Sequence, residues 1–576
     1  MSARPLADWL TRVLATQDHP ARHMEAWDWL LARQPWYPKG RQYWNWKKAT
    51  RRDRWRPIAM VGVDVSSGPP DDTNTPAGAS VWAPERSEHI TIDDTPESAR
   101  RVADLWFNRK TRSHSLVFVY GQTLELNAVL KWFAPTWLED GYVLTPLIAA
   151  NVMRGMIVRH KRHRLMLCDL EAMTGRPAPD AIEDSYKRLP GSDDTRTIFD
   201  VVWHWLADLQ THTLREYGTH LRPTIGGTAI RTAGFALPDE TDVPKPAPAV
   251  VALARAGLGF RGGYIWGQRF QGLAYKADVR RLYAHCLREP LPARWALGRG
   301  MSGGRQQPGM FLCTVSGTPY HPPTIGRWEG PEQGFVRHNH TGGASVCVLP
   351  HTEIPGLRAL GLRVDVGWGY VATEEFSLSP LVDTIQRVLS EHGPDSAIGR
   401  VTKLIGNTIY GKFAMRSNFE GVVMSVDRPS GDVFPMVKSD GEELENLWTV
   451  NTQVYTPYQQ VGAAAIITGA ARTILYVELA KRVAEGRTIV HAHTDGYVAT
   501  GPAPDDIPWE TDTVGAWRIV SEDPRTTIVR GGGYVMNDDP KWSGAPGWGR
   551  HEIELAWAQG NYYVRGVRAF TTGRPA

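Results

Sequence analysis

The chain has 576 residues, a formal net charge of +4 and only four cysteines. That length exceeds what one hydrophobic core organises, so roughly two to four domains are expected. Cys168, Cys286, Cys313 and Cys347 form no CxxC pair, and Asp8, Arg12, Gln17 and Asp18 interrupt the N-terminus; with no apolar run of ~20 residues read, neither a cysteine zinc site, a disulfide framework, a signal peptide nor a membrane span is expected, and a cytoplasmic location is.

In chain order, residues 1–55 have a helical pattern in "HMEAWDWLLAR" and then a basic, aromatic stretch, "KGRQYWNWKKATRRDRWR". That mixture suits phosphate contact with base stacking, or equally a solvated basic surface; "RGMIVRHKRHR" further on is a second basic cluster, with the same even alternative of a solvated surface. "RPIAMVGVDVSS", "HSLVFVYGQ" and "HRLMLCDLE" predict strands, and "TIFDVVWHWLADLQTHTLREYG" a helix. Strands mixed with helices make this half α/β. "ALPDETDVPKPAPAV" predicts an extended linker over 236–258. After it come the turn "FRGGYIW", the strand "LAYKADV", and two helical patterns, "SAIGRVTKLIGNTIYGKF" and "GAAAIITGAARTILYVELAKRVAEG". The second helix leads into the strand "RTIVHAHTDGYVAT".

Two sets of residues carry chemistry. On a helix turning 100° per residue, Asn407 lies about 40° and Tyr410 about −20° from Lys403, so one face presents an ammonium, an amide and a phenol. Lys403 could neutralise a triphosphate and Tyr410 could stack on a base; an ordinary amphipathic helix gives the same spacing. Asp278 and Asp495 end or follow strands from distant sequence, and such a pair can share two Mg²⁺ ions for nucleotidyl transfer. Alternatively His491, His493 and Asp495, alternating along one strand, could hold a single hydrolytic metal, although such a site needs further ligands.

The motifs together resemble family B DNA polymerases. "KLIGNTIYGKF" is similar to the fingers motif K-x3-N-S-x-Y-G, "DVRRLYA" to the first palm motif D-x-x-S-L-Y-P, and "HTDG" to the second, D-T-D-S. "FRGGYIW" resembles the Y-x-G-G turn of the protein-primed branch found in small phages and linear plasmids, and "VRGGGYVMND" the primer-holding K-x-Y motif. The resemblance implies an α/β and α+β multidomain fold, with an RNase H-like exonuclease domain preceding a right-hand palm, fingers and thumb. The expected domains are an N-terminal extension (1–55), an exonuclease-like domain (56–235), the linker (236–258), a palm with an insertion (259–396), the fingers helix (397–420), the rest of the palm (421–530) and a short thumb (531–576).

By that resemblance, Asp278, Asp495 and the Val279 carbonyl bind two Mg²⁺ ions, with Mn²⁺ able to substitute. Tyr283 lies under the sugar, and Lys403, Asn407, Tyr410 and Arg400 hold the incoming nucleotide. Gly262, Gly263, Thr494 and Tyr534 contact primer and template. The implied partners are primer–template DNA, dNTPs and a terminal protein or other priming protein, with no membrane. The implied setting is a bacterial or phage-infected cell, and the implied task is replication of a phage or mobile element. The chain departs from the pattern at several places. His493 replaces an acid, Arg280 and Arg281 replace small polar residues, and Gly532 stands where the primer-holding lysine is expected. Of the exonuclease acids, Asp64 and Asp208 are kept, while Ser66 and Leu126 replace the other two and Gln122 replaces an Asn. A degenerate exonuclease without proofreading is therefore expected, unless Asp169 and Glu171 of "CDLE" serve instead. The departures also leave open a weakened or inactive polymerase-like protein that binds nucleic acid.

Overall fold

The computed structural model of the chain describes residues 20–33, 43–45, 56–64, 78–83, 88–92, 95–107, 115–120, 133–149, 152–161, 163–174, 195–219, 221–222, 224–236, 242–244, 247–415, 418–437, 441–453, 459–537, 539–542 and 550–559. They fall into two units, each discontinuous in sequence. One comprises Met1–Tyr43, Val243–Val382 and Gln460–Ala576; the other comprises Trp44–Asp242 and Asp383–Gln459.

The first unit is built on a seven-stranded antiparallel sheet. Its order is Ile265–Gly267, Ile489–His493, Gly496–Thr500, Phe270–Val279, Trp517–Arg530, Gly533–Met536, Asp539–Trp542. The period of two in "LAYKADV" sets its faces. Tyr275 and Ala277 point into the core with Tyr497 and Ala499, while Lys276 and Asp278 stand half-buried on the other face. Beneath the core face runs the helix Val461–Ala484, whose Leu475, Tyr476 and Leu479 complete the cluster. This helix corrects the expectation that no segment is apolar enough to cross a membrane: it passes by length and composition, but most of it is buried as a core helix. Its small residues have a packing reason. A Cβ at Gly462 would come within 2.5 Å of the Trp295 ring, and one at Gly469 within 2.6 Å of Thr352 Oγ1.

Between the two aspartate-bearing strands the chain inserts a second, six-stranded antiparallel sheet. Its order is Leu291–Arg299, Arg363–Phe376, Gly309–Ser316, Ala344–Pro350, Thr324–Trp328, Phe335–Asn339. The helix Pro20–Ala32 docks on it. Trp29 packs edge-on against Trp328 and Phe335, and His23 Nε2 lies 2.8 Å from Thr314 Oγ1. Leu30 is buried there, and full burial of a side chain of this size is worth roughly 1.5–3 kcal/mol.

A second expectation is corrected in this unit. Residues 248–255, read as extended linker, form the helix Pro248–Arg255, with Ala249–Ala254 buried. Pro248 occupies its first turn, where a proline removes no hydrogen bond, so the proline-rich composition was misleading. The strands Gly533–Met536 and Asp539–Trp542, in the segment expected as thumb, extend the seven-stranded sheet, and the helix Arg550–Gln559 packs on them through Ile553.

The second unit carries a ten-stranded sheet. Arg56–Asp64, Ser115–Tyr120 and His163–Asp169 lie side by side and parallel. Gly78–Ala83 and Glu88–Ile92 continue antiparallel beyond the first of these, and Val152–His160 and Val143–Ala149 beyond the last. Asn418–Met424, Glu443–Gln453 and Val433–Val437 then extend the same sheet, although residues from 421 onward were expected in the palm. The helix Ala397–Phe413 begins at Ser396, whose side chain accepts the Gly399 N–H at 3.0 Å. It buries Ile398, Val401, Ile405 and Ile409, and Tyr217 Oη donates to Thr402 Oγ1 at 2.8 Å. Asp64 closes its strand, Asp169 is buried at the end of its own, and Asp208 is exposed on the helix Thr195–Tyr217. Ser66, Gln122, Leu126 and the side chains of Asp64 and Glu171 lie outside the described residues.

Candidate active site

Asp278 and Asp495 meet because two strands pair in antiparallel register. Asp278 lies opposite Gly496, and the Val279 N–H donates to the Asp495 carbonyl at 2.8 Å. The pair needs glycine at 496: a Cβ there would sit 2.6 Å from the Ala277 carbonyl oxygen and 3.1 Å from Asp278 Cβ. Asp495 occupies a two-residue turn between His493 and Gly496. The other turn residue, Thr494, has φ of 56°, which is rare for a β-branched side chain. Its N–H donates to the Tyr264 carbonyl at 2.7 Å, and its side chain covers Gly263, where a Cβ would come within 2.7 Å. "FRGG" and "HTDG" are thus one structural piece. Arg472 anchors it from the helix beneath, donating to the Arg261 and Gly262 carbonyls at 2.9 and 3.1 Å. Arg472 and Arg261 both grip the fully buried Glu353 carboxylate, at 2.8 and 2.5 Å.

The carboxylates open on a cleft of about 370 Å³ lined also by Lys276, His491, His493 and Tyr534. Burial, and then the neighbouring Asp278 charge, push the Asp495 carboxyl above its ordinary pKa. Arg518 Nε donates to Asp278 Oδ1 at 2.9 Å, so that carboxylate already has a cation. His491 is buried, and its Nε2 accepts the Gly532 N–H at 3.0 Å. Burial, His493 and Lys276 bring its pKa down to about 3, which keeps the ring neutral. The His491 and His493 rings are stacked with centroids 6.2 Å apart. Among the described residues no three His, Cys, Asp or Glu side chains form a metal-ligating group, which corrects the reading of His491, His493 and Asp495 as one metal site. What the cleft offers is two facing carboxylates, a set of hard oxygen donors that could hold divalent cations.

Among solved structures, the chain is similar to phi29 DNA polymerase complexed with primer-template DNA and incoming nucleotide substrates. The TM-score is 0.61 at 16% identity, covering 87% of this chain and 94% of that chain. It is similar to the same enzyme complexed with single-stranded DNA, with a TM-score of 0.59 at 15% identity and the same coverage. The chain has the fold of phi29 DNA polymerase. That is a family B polymerase fold, as the motif resemblance implies. No protein-family model and no curated protein sequence matches the chain.

The remaining residues singled out in the sequence divide between the units of this polymerase fold. Tyr534 lines the cleft, and Tyr283 is buried on the short helix Leu282–Cys286 that follows Asp278. Lys403 and Asn407 are exposed and Tyr410 half-buried on the helix Ala397–Phe413, which belongs to the second unit together with Arg400. Of the two arginines after Asp278, Arg280 pairs with the exposed Asp512 at 3.0 Å, and Arg281 adopts φ of 56° at the start of the short helix. Two residues beside the carboxylates escaped the sequence reading: Lys276, which lines the cleft, and Arg518, which pairs with Asp278. Lys276 shares the Asp278 face by strand alternation, a signal that was present. Arg518, 240 residues from its partner, carried no local signal.

Proposed function

We propose that the chain is a template-directed DNA polymerase that joins a dNTP to a primer hydroxyl. The observation that carries this reading is the Asp278–Asp495 pair, set by strand register on the open face of the seven-stranded sheet. The phi29 structures it resembles hold primer–template DNA and incoming nucleotide, and the same partners fit this reading.

Two carboxylates that repel each other in a half-buried cleft suit Mg²⁺, or Mn²⁺ in its place, and Asp278, Asp495 and the Val279 carbonyl would be the ligands. Bound there, the ions would activate the primer hydroxyl and stabilise the leaving oxygen. The exposed face bearing Lys403 and Asn407, with Tyr410 and Arg400, would hold the triphosphate and base. Tyr283 would close the sugar pocket. Gly262, Gly263 and Thr494 would contact the primer and template, and Tyr534 would meet the primer. The inserted six-stranded sheet is the candidate platform for a terminal or other priming protein. The replaced acids at 66 and 126 argue for synthesis without proofreading, and the resemblance of "FRGGYIW" to the protein-primed branch suggests service to a phage or mobile element.

Primer extension with Mg²⁺ or Mn²⁺ tests this. Asp278→Ala and Asp495→Ala are each expected to lower incorporation by at least roughly 10²–10³-fold, the scale for losing a preorganised electrostatic group. A 3′-end-labelled duplex should lose no nucleotides. Well-folded wild type that incorporates nothing on any primer would overturn the reading. The alternative, an inactive nucleic-acid-binding relative, draws on His493 at the acid position and on the hold of Arg518 on Asp278.

A further inference from the structure

Lys276 stands two residues before Asp278, on the same face of the same strand. With two carboxylates in the cleft, an ion pair would be its expected partner. Instead its Nζ donates to Tyr534 Oη at 3.1 Å, and Asp278 is taken by Arg518. Among the described residues this is the only hydrogen bond of the ammonium, which has three donors. Two N–H groups are therefore left for an anionic oxygen at the cleft, held in place by the phenol.

The neighbouring backbone explains why the cation comes from here. Gly532, where the resemblance expects a lysine, has φ of 77° and gives its N–H to the buried His491. A side chain at 532 would be strained in that conformation. Distance along the strand then suggests which anion is met. Two residues of β-strand span roughly 6.6 Å. A primer hydroxyl attacking at the carboxylates has the phosphate of its own nucleotide about one nucleotide step behind it, a comparable length.

We propose that Lys276, oriented by Tyr534, binds the phosphodiester on the 5′ side of the primer's terminal nucleotide. It thereby takes the part that the motif would give to a lysine at 532. This rests on the polymerase reading above and names one contact within it.

The test is equilibrium binding of a primer–template duplex by the full chain across a range of KCl concentrations, paired with steady-state extension. Lys276→Gln is expected to weaken duplex binding roughly ten-fold or more, the usual worth of a charge-assisted hydrogen bond. It should also flatten the dependence of log affinity on log salt by about 1, the signature of one lost phosphate contact. Lys276→Arg should restore the slope, Tyr534→Phe should weaken binding with the slope kept, and the KM for dNTP should stay unchanged. An unchanged slope in Lys276→Gln overturns the proposal, even if affinity drops, because that is a structural effect. A change confined to the dNTP KM also overturns it, by assigning the ammonium to the triphosphate. If Lys276→Gln unfolds early in a thermal scan, the Tyr534→Phe result decides: binding as tight as wild type overturns the proposal. Wild type that binds the duplex but extends nothing would defeat the polymerase reading while leaving the salt slope valid.

Discussion

At the scale of single residues, Arg518 is the informative surprise. Its guanidinium holds Asp278 at 2.9 Å in the place where a divalent cation would need that carboxylate free. The side chains are about one-third and one-fifth exposed, so the pair is screened by water and worth roughly 0.2–1 kcal/mol. Arg518→Gln is accordingly expected to lower the Mg²⁺ concentration for half-maximal extension by roughly 1.4- to five-fold. A magnesium titration of both proteins checks this, and a higher requirement in the variant would show that Arg518 helps to build the site. Asp278 and Asp495 were legible because their motifs are short and local. Arg518 was not, since nothing in "GAWRIV" announces a partner so distant in the chain.

At the scale of elements, the turn His493–Gly496 does most to fix the site. It seats Asp495 against the Phe270–Val279 strand only because Gly496 has no side chain to strike the Ala277 carbonyl. Gly496→Ala forces the strands apart and is expected to cost about 1–3 kcal/mol. A lower urea midpoint would register that cost, together with slower extension as the two carboxylates separate; an unchanged midpoint would mean that the strands give way freely. Periodicity identified the local elements well. "GAAAIITGAARTILYVELAKRVAEG" is indeed a helix, at Val461–Ala484, and "LAYKADV" is a strand. It failed where composition stood in for pattern: Pro248, in a segment read as extended linker, opens a buried helix.

At the scale of the whole molecule, the chain leaves each unit and returns to it, so stability rests on contacts between distant segments. In the first unit the clearest is Glu353, from the inserted sheet region, gripped by Arg261 of the glycine turn and Arg472 of the core helix. Burial alone would raise its carboxyl, but the two guanidiniums prevail and hold it below the ordinary value. Its contribution is therefore fully present above the unfolded Glu value of about 4.3 and is lost as pH falls through the lower folded value. Glu353→Gln strands two buried guanidiniums and is expected to cost about 3–5 kcal/mol at neutral pH. Urea unfolding as a function of pH should show the two proteins converging on acidification; parallel curves would remove the network from the account. By itself the sequence determined which local segments are helix or strand, and which motifs bear carboxylates, lysine and tyrosine, because periods of 3.6 and 2 and turn chemistry act over a few residues. Only the tertiary structure decided that Asp278 faces Asp495, that Arg518 and Lys276 stand beside them, and that residues 418–453 extend the ten-stranded sheet. Those facts are hydrogen-bond registers between segments far apart in the chain, and no local pattern encodes them.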